Sequence, residues 1–414
     1  MTQNQINQNI KKLDGGVCQV QGVEASGVQN GKYGLALIYA PNSIANAVYT
    51  SNKVVAAPLD YTREIIKDGK ISVIVANSGN ANCFTGDQGF KDCKTTAKLT
   101  SELLNIPENE IAIASTGVIG RKMPMDIYTP LIINAASQLE HSNQGSNDAA
   151  EAIMTTDLLK KEYAVEVTLE NGKKVHIGGM CKGSGMIAPN MATMMCFLTT
   201  DALIDTKHIK KVLSTAINKS FNMVVVDGDE STNDIGILLA NGKSNQKAIK
   251  YDGTIDKNFQ EGLNTVCVEL AKMMARDGEG ATKFLQVNVT NAKTEEDAIK
   301  ASKSVVSSSL VKSAMFGGDP NWGRIVAAVG YANVHMDPEN ITISIASQND
   351  SVDLVSEGEI LAFEGTPYLE KAEKIVQEEN IYININLFQG KASATAYGCD
   401  LTYDYVKINA EYTT

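Results

Sequence analysis

Runs of consecutive apolar and β-branched residues mark the first third of the chain: YGLALIYA from Tyr33, ISVIVAN from Ile71 and IAIAST from Ile111. Such runs predict buried strands. Lys91–Asn105 and Ile127–Glu140 carry apolar residues at helical spacing, and the first stops just before Pro107, a residue that ends helices well. AVEVTL and KKVHIGGM flank Glu170-Asn171-Gly172, where the Asn-Gly pair predicts a tight hairpin. TMMCFLTTDA then reads as a strand, Lys207–Lys219 as a helix, and MVVVDG with DIGILLANG as a strand pair. Beyond a long helix over Lys257–Arg276 and the turn RDGEGATK come the strand FLQVNVT, a helix from Thr294, and late strands at RIVAAVGY, ITISIAS and YININLFQG. The expected fold class is α+β. A soft boundary near residue 285 divides a core, 1–285, from a smaller carboxyl-terminal α/β domain, 286–414.

Composition narrows the classes of function. With 414 residues, 43% of them apolar, the chain is long enough for two or three packed domains. A net charge of -11 repels nucleic-acid backbones and anionic membranes. The opening MTQNQINQNIKK is polar, and no segment approaches the roughly 18 to 20 apolar residues of a membrane span. A soluble, cytoplasmic protein is expected. Cys18, Cys83, Cys93, Cys181, Cys196, Cys267 and Cys399 form no C-x-x-C pair and are expected to be reduced thiols. His141, His176, His208 and His335 show no metal-ligand spacing, so surface or structural roles are expected.

The most informative segment is KGSGMIAPNMATMM, Lys182 to Met195, where a glycine-rich turn and a proline precede Ala192-Thr193 at the mouth of an apolar strand. A threonine hydroxyl held in a tight turn can attack the carbonyl before it, and the small Ala192 gives that carbonyl little cover. Hydrolysis of the resulting ester would leave Thr193 with a free α-amine, whose unperturbed pKa of about 7.7 to 8.0 suits it to take the hydroxyl's proton. On these residues alone, a plain turn before a strand is the alternative.

Taken with this segment, NSGNAN at Asn77, ASTGVIG at Ala114, MTTD at Met154, VDGDESTND at Val226, ARDGEGATK at Ala275, GGDPNWGR at Gly317 and the tail ATAYGCDLTYDYVKINAEYTT occur in order along nearly the whole chain. In these motifs the chain resembles the bifunctional ornithine acetyltransferase family, also called glutamate N-acetyltransferase, although Met195 stands where the family usually has leucine. The resemblance implies an amino-terminal-nucleophile-like, self-cleaving core of the DmpA/ArgJ-like type, with β-sheets layered between helices. It also implies a cut between Ala192 and Thr193, giving chains 1–192 and 193–414 that stay together as a heterotetramer of two α and two β chains. Thr193 is then the nucleophile, and Thr116 and Gly117 the oxyanion hole. Substrate contacts fall on Thr155, Lys182, Thr193, Glu279, Asn409 and Thr414. The implied reaction moves acetyl from N-acetylornithine to glutamate, releasing ornithine and N-acetylglutamate, in arginine biosynthesis. No cofactor is called for, and some members also take acetyl from acetyl-CoA.

The chemistry of those residue types fits the roles. Lys182 suits an α-carboxylate as a point charge, and Glu279 suits a side-chain ammonium. Two rivals predict different behaviour: an amino-terminal-nucleophile aminopeptidase or amidase that lets water resolve the acyl-enzyme, and an uncleaved amino-acid-binding protein. VDGDESTND is expected to be a structural turn, because an EF-hand loop counted from Asp227 would need glycine and glutamate where Thr232 and Leu238 stand. NSGNANCFTG lacks the lysine of a nucleotide-binding P-loop. Trp322 is expected to anchor packing.

Overall fold

A computed structural model of the chain describes residues 8–188 and 194–411. The apolar runs are explained by two buried faces. Leu35, Leu37, Val73, Val75, Ile111 and Ile113 point into one core, while the alternate residues Ala36, Ile38, Ile74, Ala76, Ala112 and Ala114 point into another. With both faces covered, most positions are apolar, and polar exceptions such as Ser72 and Asn77 are buried and hydrogen-bonded.

These strands belong to a nine-stranded sheet. Its members are β1 (Ile10–Leu13), β2 (Glu24–Asn30), β3 (Tyr33–Tyr49), β4 (Lys70–Ser78), β5 (Ile111–Ser115), β6 (Lys161–Thr168), β7 (Lys174–Lys182), β8 (Met195–Thr200) and, after the two-residue β9 (Val224–Val225) of the other sheet, β10 (Ile235–Ala240). The order across the sheet is β1-β6-β7-β8-β10-β3-β4-β5, with β2 on β3. The expected β6–β7 hairpin forms, with Gly172 at φ +79° in its turn. At the centre, β8 runs parallel to β10, Met195 opposite Ile235, and antiparallel to β7, Lys182 opposite Met195.

Helices α1 (Ala57–Ile65) and α2 (Asp87–Leu104) pack on β5 and α3 (Met125–Ser137) on β2 and β3, and α4 (Asn143–Ala152) also packs on β2 and β3. α5 (Thr206–Lys219) and α6 (Lys257–Arg276) join it to the second sheet through a shared core in which Val266, Leu270 and Met274 of α6 take part. That seven-stranded sheet adds β11 (Phe284–Ala292), β12 (Thr342–Ala346), β13 (Ser351–Ser356), β14 (Glu359–Ile360), β15 (Asn380–Asn386) and β16 (Ala392–Cys399) to β9, in the order β14-β13-β12-β15-β11-β16-β9. Around it lie α7 (Glu295–Ser307), α8 (Ser309–Gly317), α9 (Trp322–Gly330), α10 (Pro367–Ile375) and α11 (Tyr403–Glu411). The fold is therefore α+β, as expected. No helix among the described residues is long and apolar enough to cross a membrane.

Two local expectations fail. RIVAAVGY is not a strand but lies in α9. Asn321 caps that helix by accepting from the Arg324 amide, and Ile325, Ala328 and Val329 are buried at helical spacing. MVVVDG and DIGILLANG do not pair with each other: β9 lies parallel to β16 in the second sheet, whereas β10 sits between β8 and β3 in the first. The chain has to cross between sheets there, and the acidic loop 226–234 makes the crossing.

Candidate active site

β5 ends at Ser115, and the loop that follows interlocks with NSGNAN. Thr116 donates its amide to Asn77 O at 2.9 Å, and Ala81 donates to Val118 O at 3.0 Å. Gly117 has φ +131°, and a Cβ there would collide with the backbone of Gly79 and Asn80. Only glycine meets both conditions. NSGNAN is thus a rigid buttress under the Thr116-Gly117 turn. Asn233 fastens the assembly to β10 by donating from Nδ2 to Ala81 O (2.7 Å) and Ser115 O (2.8 Å).

At the end of β7, Lys182 is almost fully buried, its Nζ donating to Thr155 Oγ1 at 2.8 Å and pairing with Asp157 at 3.4 Å. Asp157 also accepts from the amides of Gly183 (2.7 Å) and Thr155 (3.1 Å). A second buried lysine, Lys161, pairs with Asp157 at 2.8 Å and with Asp277 at 2.5 Å. Burial alone would raise the Asp157 pKa, but Lys182 and Lys161 outweigh it and hold the carboxyl well below the usual range. Asp277 in turn accepts from the Leu158 and Leu159 amides, and its carbonyl accepts from Ser184 Oγ at 2.6 Å. Two residues on, Glu279 accepts from Asn409 Nδ2 of α11 at 2.8 Å.

Six of the residues expected from the sequence, Thr116, Gly117, Thr155, Lys182, Glu279 and Asn409, line a single cavity of about 220 Å³. They come from separate parts of the chain. Ala192, Thr193 and Thr414 lie outside the described residues. The chain on either side of 189–193 is nonetheless fixed: Asp227 accepts from the Met186 (2.6 Å) and Ile187 (2.9 Å) amides, and Asp234 accepts from the Met194 amide at 2.7 Å. The acidic loop is therefore a clamp on backbone N–H groups. Trp322 donates from Nε1 to Ala362 O at 2.9 Å and packs against the larger core.

Asp234 is wholly buried, and its Oδ2 has no partner among the described residues. Burial drives its pKa well above the usual carboxylate value, with the Met194 amide and Ser231 opposing and Glu230 adding to the rise. A carboxyl whose folded pKa lies above its unfolded value of about 3.9 leaves stability intact at acid pH and erodes it as pH climbs. Asp234→Asn keeps an acceptor for Met194 but does not titrate. Its stability relative to the unaltered protein should rise by about 1 kcal/mol or more between pH 4 and pH 7, since one pKa unit is worth about 1.4 kcal/mol. Denaturant titrations of both proteins at the two pH values check this; a difference that does not move with pH counts against it.

Sequence reasoning misses Asp157, Lys161, Asp277 and Asn233. Three of them sit inside the motifs MTTD, ARDGEGATK and VDGDESTND, which is the available signal; Lys161 has none.

An α+β protein with a small cavity, framed by a glycine turn, a buried lysine and a carboxylate, is what fold and site together define. The chain belongs to the ArgJ family, whose profile matches residues 19–414. It is 55% identical over 405 residues, 98% of this chain and 99% of the other, to a protein named glutamate N-acetyltransferase from Methanothermobacter thermautotrophicus. A solved chain of the arginine biosynthesis bifunctional protein argJ from Bacillus halodurans is 40% identical over 52% of this chain and 98% of its own, with a TM-score of 0.48. The ornithine acetyltransferase of Mycobacterium tuberculosis, solved with ornithine, is 31% identical over 45% of this chain and 100% of its own, with a TM-score of 0.40.

Proposed function

We propose that the chain is a self-cleaving acetyltransferase of arginine biosynthesis that transfers acetyl from N-acetylornithine to glutamate. What supports this most is the convergence of Thr116, Gly117, Thr155, Lys182, Glu279 and Asn409 on one cavity of amino-acid size. The family and its similarly named members agree with it.

In the first step the Thr193 hydroxyl attacks the Ala192 carbonyl. The amide C–N bond breaks as the ester C–O bond forms, and the hydroxyl proton passes to the Thr193 nitrogen. Water then hydrolyses the ester, releasing the Ala192 carboxylate and restoring the hydroxyl beside a free α-amine. In the transfer cycle this hydroxyl attacks the acetyl carbonyl of N-acetylornithine, and the α-amine takes its proton. Thr116 and Gly117 steady the oxyanion, a contribution commonly worth about 100-fold to 1000-fold per donor. Collapse breaks the acetyl amide, the proton goes to the departing amine, and ornithine leaves acetyl-Thr193 behind. The glutamate amine attacks that ester, giving N-acetylglutamate and the original threonine. Lys182 receives the α-carboxylate and Glu279 the ornithine ammonium. The cleaved chains, 1–192 and 193–414, assemble as a heterotetramer of two of each, with no cofactor. Some members of the family that the sequence resembles also take acetyl from acetyl-CoA, and an open groove of about 800 Å³ that adjoins the cavity at Val118 and Thr155 leaves room for so large a donor.

The aminopeptidase or amidase rival differs in what resolves the acyl-enzyme. With N-acetylornithine as donor, added glutamate should take up nearly all the acetyl as N-acetylglutamate and suppress free acetate. Chromatography of products with and without glutamate reads this directly; acetate release indifferent to glutamate would favour the hydrolase.

A further inference from the structure

Glu279 is gripped from two sides. Its backbone amide donates to Ser184 O at 3.0 Å, and Asn409 Nδ2 donates to its Oε2 at 2.8 Å. Beneath the carboxylate lies Gly185. A Cβ at that position would overlap Oε1, Cδ and Oε2 of Glu279 at once. Gly185 has no left-handed φ, so its backbone conformation does not call for glycine; the space taken by the carboxylate does. The obstructing atoms are the far end of a flexible side chain, so an added methyl would displace the carboxylate and leave the turn in place.

We propose that Gly185 is a positioning residue for the donor step: the room left by its missing side chain seats the Glu279 carboxylate against the backbone, beside the cavity, where it meets the side-chain ammonium of an incoming N-acetylornithine. This rests on the reading of the cavity as an amino-acid site. Seated, the carboxylate forms a charge-assisted hydrogen bond with an incoming ammonium, a contact that a donor with an anionic end does not make. Displaced, it does not form that bond in the same place. Gly185 acts through Glu279 and touches none of the reacting atoms.

The test compares acetylation of the protein by N-acetylornithine and by N-acetylglutamate in single turnovers, followed as an acetyl mass increment on the fragment that begins at Thr193. In Gly185→Ala the ratio of the two rates should fall about tenfold or more, the scale of one lost charge-assisted hydrogen bond. Glu279→Gln should reproduce the fall, and the double variant should show no further loss, because both changes remove one interaction. Asn409→Ala, which frees the carboxylate without touching the turn, should move the ratio the same way. A ratio within twofold of the unaltered protein in Gly185→Ala, or losses that simply add in the double variant, would overturn the inference while leaving the proposed function standing. If the unaltered protein is acetylated by neither donor, the proposed function falls, and the inference with it.

Discussion

A Thr193→Ala chain is expected to run as one band at 44.4 kDa on a denaturing gel and to transfer no acetyl, whereas the unaltered chain is expected to give two fragments. The substitution removes the one oxygen on which both proposed steps depend. Without it no ester forms at the Ala192 carbonyl, the α-amine stays locked in a peptide, and the site lacks nucleophile and base together. Loss of the nucleophile in an acyl-transfer enzyme lowers turnover on the order of 10⁶-fold, so residual activity should be undetectable. Thr193→Ser separates chemistry from folding: it retains a hydroxyl and should still cut. Amino-terminal sequencing of the second fragment should begin Thr-Met-Met-Cys-Phe. A protein that is active while intact across residues 192 and 193 would defeat the mechanism, and so would a Thr193→Ala chain that cuts as fast as the unaltered one.

Much of the frame is legible in the amino-acid pattern, for a physical reason. ISVIVAN and IAIAST are mostly apolar because both faces of β4 and β5 are covered, and buried strands of that kind have little else to resemble. RIVAAVGY has the same look and is a helix, since α9 is short and its Ile325, Ala328 and Val329 contacts are masked by apolar neighbours between them. The pairing of β9 escapes a local reading because its partner, β16, lies at residues 392–399, far beyond the range over which a local pattern speaks. The site divides in the same way. Glycine turns and polar motifs mark where Thr116, Lys182 and Glu279 belong, because each sits on a turn with its own signature. The groups that hold them are illegible: Asp157, Lys161 and Asp277 meet only once β6, β7 and the turn after α6 are packed, and nothing local tells a buried lysine from a solvated one.

That buried lysine should be the costliest charge in the protein to remove. Lys161 is about 1% exposed and lies between Asp157 and Asp277, with a third hydrogen bond to Leu159 O at 3.1 Å. Lys161→Met keeps most of the volume but leaves two carboxylates facing each other with only Lys182 to balance them. Breaking a buried pair by deleting one partner costs about 3 to 5 kcal/mol, and that is the loss expected at pH 7. An exposed pair such as Lys371–Asp350 should cost far less when broken, and serves as the control. The pH dependence has a definite sign. In the unaltered protein the folded Asp157 pKa is depressed, so its contribution is present above the unfolded value of about 3.9 and fades as pH falls through the lower folded value. Without Lys161 the Asp157 carboxyl stays buried but loses one of its two cations, so its folded pKa rises and the variant's deficit grows as pH climbs. Denaturant unfolding at pH 4.5 and 7.5, with Thr193→Ala in both proteins to keep each a single chain, should show the larger deficit at the higher pH. A deficit below about 1 kcal/mol at both would mean that Lys161 does not hold the loop 155–159 to the turn at Asp277, and the rigid placing of Lys182 and Glu279 would need another cause.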